Sequence, residues 1–372
     1  MESFASIILI ILSKMSSENF KKIVKSKNSE KVNLKYLAKI AGVATSTVSR
    51  ALSNDSKTSK KTKEKIQKLA REMNYYPDLL AKSLREKKTD TIGIILNDLN
   101  NPFYTEVLSS IGEALYERNY SMIVNYSKYE AQNEKSCILS MLSKRVDGII
   151  ISPTHDRSEN IEFLIKNNIN TVIIDCLPKY NNISYVYTDH GKGAVIATEY
   201  LIQNGHREIL LFLGPVETET SLAGQFRDSF FRTLKKHGIK PREDLVLKAK
   251  EFSMDGGYNA FKNLLTVNDG NLSLNFTGIV TCGDLLALGV YSVANELRFE
   301  IPTNYSIVGY DNIKVTSALS PPLTTIHQPR KRIGIQAARI LIDNIENKNK
   351  KIIEKIVFEP NLVVRGSVRK IN

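Results

Sequence analysis

Asn33-Leu34-Lys35-Tyr36-Leu37-Ala38-Lys39-Ile40-Ala41-Gly42-Val43-Ala44-Thr45-Ser46-Thr47-Val48-Ser49-Arg50-Ala51-Leu52 is the stretch on which the reading of this chain turns. Leu34, Leu37, Ala38 and Ala41 recur at helical spacing, and Gly42 ends that helix. After a tight turn, Val48 and Leu52 form an i,i+4 apolar pair, which leaves Thr45, Ser46, Ser49 and Arg50 on the opposite face. That face is short, hydroxylated and singly cationic. Such a helix enters a DNA major groove without steric conflict, its first residues nearest the bases. Thr45 and Ser46 are therefore expected to read base edges, and Ser49 and Arg50 to meet bases or phosphates. Thr47 belongs to the same DNA-contacting set.

Any small three-helix unit carries an Ala-Gly-Val junction between amphipathic helices, so the neighbouring sequence matters. Ser59 precedes Lys60 to Met73, a capped helix whose stripe Ile66, Leu69, Ala70 and Met73 supplies a third packing wall. Then comes Asn74-Tyr75-Tyr76-Pro77-Asp78-Leu79-Leu80-Ala81-Lys82-Ser83-Leu84.

Charge points the same way. Residues 31–90 hold 15 Lys+Arg against 6 Asp+Glu, so +9 of the chain's +13 sits in that short span, and residues 91–372 are nearly neutral. A basic domain joined to a neutral one is the footprint of a polyanion partner.

With 372 residues the chain is expected to form two or three domains. Cys137, Cys176 and Cys282 are widely spaced in apolar surroundings and read as core residues. With no Cys-x-x-Cys and five scattered histidines, no metal site and no cofactor are expected. The apolar run Phe4 to Leu12 has signal-peptide length but lacks a basic n-region and a cleavage site, and it is too short to span a bilayer. Residues 1–31 are expected to be a disordered or mis-assigned extension, with Met15 as the alternative start, and the protein to be cytoplasmic.

From Thr91 onward, short apolar runs alternate with helix-length segments: 92–96, 121–126, 146–152, 171–175, 185–188, 209–214, 245–248, 278–281, 306–310 and 323–326. This pattern predicts parallel sheets of βαβ units, and ten strands predict two lobes.

The chain resembles the LacI/GalR family of bacterial repressors, whose amino-terminal module carries A-x-x-A-G-V-S-x-x-T-V-S-R, a third helix, then N-Y-x-P-N-x-x-A-x-x-L. The resemblance covers most of residues 33–368. Ala44 stands where the family has a cap serine, and Asp78 where it has asparagine. The resemblance implies an all-α helix-turn-helix DNA-binding domain at 32–76 and a hinge helix and linker at 77–90. It further implies an α/β, two-lobed, periplasmic-binding-protein-like effector domain with one lobe from 91–190 and 328–357 and the other from 191–327 and 358–372. Three crossing strands join the lobes around a ligand cleft. Two hinge helices would pair across a homodimer on a palindromic operator, with Leu84, and Ala81 near it, wedged into the minor groove.

Asn100-Asn101-Pro102-Phe103-Tyr104 matches the family's N-P-F-[FY] element; Phe103 either stacks on a ligand or packs helix on sheet. Asp175 and Asp311 end strands and resemble the family's ligand-contacting acids, with helix capping as the alternative. Thr220, Arg227 and Asp284 complete the expected effector site. There are two departures. Gly283-Asp284 replaces the family's Asn-Asp, leaving Asp284 well placed to cap the following helix. Arg227 lies several residues later than the family's arginine, which suggests an altered ligand. The expected function is a repressor controlled by a small ligand, a sugar or sugar derivative, or alternatively by a protein co-repressor. A solute receptor would not carry residues 33–84. An enzyme is not expected, because no phosphate loop, nucleophile elbow or metal cluster appears.

Overall fold

A computed structural model describes residues 33–53, 55–75, 88–215, 222–266, 275–347 and 352–371. The amino-terminal extension, the hinge residues Ala81 and Leu84, and Thr220 lie outside the described residues. The chain divides into two units, Met1–Thr89 and Asp90–Asn372.

In the first unit, α1 (Leu34–Ala41), α2 (Thr45–Leu52) and α3 (Lys60–Glu72) form the helical bundle. The Asn33 side chain accepts from Tyr36 N at the start of α1, and Gly42 ends it with φ +69°, a left-handed conformation that a side chain would resist. Ala44 gives α2 no side-chain cap, as its lack of a hydroxyl dictates. Ser59 accepts from Thr62 N to start α3. Leu37, Ala38, Ala41, Val48, Ala51, Ile66 and Ala70 form the core, rimmed by Leu34, Leu52, Leu69 and Met73. From α3, Lys65 Nζ and Gln67 Nε2 reach the carbonyls of Ala41 and Ala51 at 3.1 and 3.4 Å, satisfying the open carboxyl ends of α1 and α2.

In the second unit, β1 (Thr91–Leu96), α4 (Pro102–Glu117), β2 (Ser121–Tyr126), α5 (Ala131–Ser143), β3 (Gly148–Ile151), α6 (Glu159–Lys166), β4 (Thr171–Ile174) and β5 (Ser184–Thr188) build one lobe. The second lobe follows with α7 (His190–Gln203), β6 (Ile209–Leu213), α8 (Leu222–Lys236), β7 (Val246–Lys248), α9 (Met254–Thr266), β8 (Gly278–Thr281), α10 (Asp284–Leu297), β9 (Ser306–Asp311) and β10 (Thr324–His327). The chain then returns through α11 (Arg330–Glu346) and β11 (Lys355–Phe358) and ends on β12 (Asn361–Val363).

The two sheets share one topology. Their orders are β11-β5-β4-β3-β1-β2 and β12-β10-β9-β8-β6-β7, parallel except for the β10–β12 pair. In each, the first strand lies between the second and third, so the chain reverses direction across the sheet at that point and opens a crevice beyond the strands' carboxyl ends. Both faces of the first sheet are buried: Ile92, Ile94 and Leu96 join one core cluster while Ile95 joins the other. A two-sided apolar strand is what helices on both faces require.

The chain crosses between lobes at Asp189, at Gln328-Pro329 and at Glu359-Pro360. The expected boundaries at 190/191 and 357/358 thus fall just inside α7 and β11. Strands β11 and β12 were absent from the ten expected strands. Each sits at a sheet edge and is partly exposed, so neither carries a continuous apolar run.

Candidate functional site

Two surfaces carry chemistry. On the helical bundle, Thr45, Ser46 and Arg50 of α2 are exposed, and Thr47 and Ser49 are half-buried. Lys60, Lys61, Lys65 and Lys68 of α3 are exposed beside them in sequence. Residues 33–75 hold ten Lys+Arg against three Asp+Glu. The α2 face therefore joins short hydrogen-bonding side chains to a positive field.

The second site is a cavity of about 150 Å³ where the carboxyl ends of the two sheets meet. Asn97 follows β1, Pro153 and Thr154 follow β3, and Asp175 follows β4. From the other lobe, Gly214 follows β6, Cys282 follows β8, and Asp311 ends β9. Asp175 (φ +56°) and Asp311 (φ +112°) both hold left-handed backbone, a strain that side-chain-bearing residues keep where surrounding structure imposes it, often at ligand sites.

A hydrogen-bonded floor holds Asp175. Tyr104 OH donates to Asp175 Oδ2 at 2.9 Å, and Asn97 Nδ2 donates to Tyr104 OH at 3.3 Å and to Ser152 Oγ at 3.1 Å. Ser127 Oγ donates to Asn97 Oδ1 and so fixes the amide's orientation. Burial, followed by the Asp175 charge, pushes the Tyr104 phenol well above its ordinary value, so it stays a neutral donor. Across the cleft, His190 Nδ1 and Tyr310 OH lie 2.6 Å apart, and His190 Nε2 sits 3.4 Å from Asp175 Oδ1 outside hydrogen-bond geometry. Gln328 Nε2 donates to Asp311 Oδ1 at 2.7 Å. Burial and then the neighbouring Asp284 charge raise the Asp311 carboxyl well above the usual range.

Residues 33–78 match the family described as "Bacterial regulatory proteins, lacI family", and residues 89–362 match "Periplasmic binding proteins and sugar binding domain of LacI family". The chain belongs to the LacI family. The HTH-type transcriptional repressor PurR of Vibrio vulnificus (strain CMCP6) is 34% identical over 343 residues, covering 91% of this chain and 99% of that one. A LacI family regulator from Enterococcus faecium, solved with bound ribose, is 28% identical with a TM-score of 0.65, covering 76% of this chain and 100% of that one. The Lac repressor dimer bound to operator and the anti-inducer ONPF, at 24% identity, shares the fold with a TM-score of 0.78 over 91% of this chain and 100% of that one. This LacI-family protein is a DNA-binding transcriptional repressor controlled by a small-molecule ligand.

In this LacI-family protein the cavity brings together three of the expected effector residues, Phe103, Asp175 and Asp311. Phe103 does both things proposed for it. It is buried in the core of its lobe, edge-on to Tyr104 at 5.1 Å, and one side of it faces the cavity.

Arg227 and Asp284 do not line the cavity. Two residues along a helix turn the side chain by roughly 200°, so Gln225 faces the cavity while Arg227 faces away. Arg227 pairs with Glu243 at 2.5 Å and stacks on the Phe231 ring at 4.9 Å. Asp284 is fully buried and leaves α10 without a side-chain cap; its carboxylate accepts instead from Ile313 N at 2.9 Å and Thr325 Oγ1 at 2.7 Å. Of the cysteines read as core, Cys282 is buried and Cys137 and Cys176 are half-buried, and Cys176 and Cys282 line the cavity. Burial pushes the Cys282 thiol up to about 12.

Sequence reasoning missed Gln328, His190, Tyr187, Tyr129 and Phe252, all on the cavity wall. Phe252 had a signal. Its ring lies against Gly214 and Gly283, where any Cβ would collide with it, so the glycine that replaces the family's asparagine is the space the ring fills.

Proposed function

We propose that this repressor acts as a homodimer, reads a palindromic operator through α2, and changes its grip when a sugar or sugar derivative binds between the lobes. Thr45 and Ser46 read base edges; Thr47, Ser49 and Arg50 add base or phosphate contacts; Leu84, with Ala81, opens the central minor-groove step. Phe103, Asp175 and Asp311 receive the ligand, and Thr220 lies in the adjoining segment. The protein works in the cytoplasm by binding alone, without catalysis or cofactor. Among the described residues, no helix is long and apolar enough to cross a membrane.

The observation that carries this reading is the cavity itself: carboxylates and aromatic rings from two sheets converge where three short crossings let the lobes move. Carboxylates accept paired sugar hydroxyls, and aromatic faces cover a ring's apolar side. The related Enterococcus faecium regulator was solved with ribose. The homodimer is supported by the open edge of the first sheet, where Met122, Tyr126, Tyr116 and Leu139 are exposed on β2, α4 and α5.

Operator selection from random duplexes, followed by gel shift with and without a sugar panel, tests the reading. A palindrome should be enriched, and one sugar should shift its affinity by about 5–150-fold, the usual range of such coupling. Enrichment of no palindrome, or a shift with no sugar, refutes it.

A further inference from the structure

The cavity is electrostatically one-sided. Asp156, Asp175 and Asp311 line it, whereas none of its described lining residues is lysine or arginine, and His155 and His190 are the groups there able to take up a proton. Residues 216–221, between the lining residues Pro215 and Leu222, read Val-Glu-Thr-Glu-Thr-Ser and so bring no cation. Arg330, which follows the crossing at Gln328-Pro329, is already engaged: it donates to Glu106 Oε2 at 2.9 Å, to Asn312 O at 2.9 Å and to Asp311 O.

Backbone amides at helix starts bind anions where arginine is absent. Here they are occupied. Asn101 Oδ1 accepts from Phe103 N at 2.9 Å at the head of α4, and Asp189 Oδ1 accepts from Lys192 N at 2.8 Å at the head of α7. A phosphate entering this cavity would meet carboxylates and no compensating donor set, and like charges repel strongly at such range in a half-buried site.

Acceptors, in contrast, stand open. Gln328 is 2% exposed, and with its Nε2 given to Asp311 its Oε1 is buried at the cavity without a hydrogen-bond partner. An unmet buried acceptor costs free energy until a donor arrives. The cavity's volume, about 150 Å³, matches that of an engineered site that holds one benzene.

We propose that the effector is an unphosphorylated, uncharged or cationic molecule no larger than one monosaccharide or nucleobase, rich in O–H or N–H donors, and that the cavity rejects phosphate esters by charge. This rests on the small-ligand reading above. A monosaccharide and a nucleobase share the required chemistry, so the test separates them.

Titration calorimetry of the full chain, in about 200 mM salt to quiet the DNA-binding face, compares ribose with ribose 5-phosphate, glucose with glucose 6-phosphate, and adenine with adenosine 5′-monophosphate. The expected result is that one parent binds and its ester binds on the order of 100-fold more weakly or not at all. An ester that binds as tightly as its parent overturns the charge selection while leaving the sugar reading standing. Binding of adenine but of neither sugar upholds the charge selection and overturns the sugar reading. If no probe binds, both fall.

Discussion

Replacing Asp284 separates a structural carboxylate from a ligand contact. Asp284 is fully buried and accepts two hydrogen bonds, from the Ile313 amide and the Thr325 hydroxyl. Asp284→Ala strands both donors, at about 1–3 kcal/mol each, so about 2–6 kcal/mol of effector-domain stability should be lost. Against a typical total of about 5–15 kcal/mol, that is a large fraction. Asp284→Asn keeps an acceptor for Ile313 N and turns its amide to the Thr325 oxygen, so its cost should stay under about 1 kcal/mol. Proton linkage adds a signature. Burial pushes the Asp284 carboxyl up to about 7, above an unfolded value near 3.8. The folded chain therefore holds the extra proton between those values, and stability is full below about pH 4 and falls as pH rises towards 7. Urea unfolding of the effector domain across that window, in wild type and Asp284→Asn, checks the slope; the variant should flatten it. Neither variant that folds should change ligand affinity more than a few-fold. A ligand affinity lost in Asp284→Asn with stability intact would place Asp284 in the binding site and refute the argument.

Four further outcomes follow from the geometry. If a dimer neutralises about 6–8 phosphates, operator affinity measured by filter binding should fall roughly a thousandfold or more between 50 and 200 mM salt; a flat response would remove the α2 and α3 cations from the interface. Ser46→Ala should cost about 1–3 kcal/mol on the selected operator and leave random-sequence binding unchanged, whereas Leu84→Ser should likewise spare non-specific affinity. Glu134 is buried under the cavity wall, accepting from Thr154 N at 2.6 Å and Asn160 Nδ2 at 2.8 Å. Glu134→Ala should therefore loosen residues 153–156 and weaken ligand binding about tenfold or more, the equivalent of about 1.4 kcal/mol, while apo-repressor affinity for operator holds. Ile66→Ala, in the small bundle core, should cost about 2–5 kcal/mol and abolish DNA binding in gel shift, with ligand heat in calorimetry retained because the effector domain has its own cores.

The amino-acid sequence determined the helical bundle, because every decisive signal there is local. Leu37, Ala41, Val48 and Ile66 fall at helical spacing, Asn33 and Ser59 cap, Gly42 turns left-handed, and Ala44 leaves its helix uncapped. The strands of the effector domain were legible for the same reason where they are buried on both faces. Edge strands β11 and β12 were not, since half of each faces out and the apolar run breaks.

The cavity was decided by the tertiary structure. Asp175, Asp284 and Asp311 are three acids beside strand ends, alike to a sequence reader. What separates them is partners 29 to 71 residues away: Tyr104 for Asp175, and Ile313 and Thr325 for Asp284. Helix phase turned Arg227 outward onto Glu243 and Phe231, and Phe252 occupied the space over Gly283. Spacing along a chain fixes which face of an element is apolar, but the groups a polar atom meets are set by how distant elements pack, and that carries no local period to read.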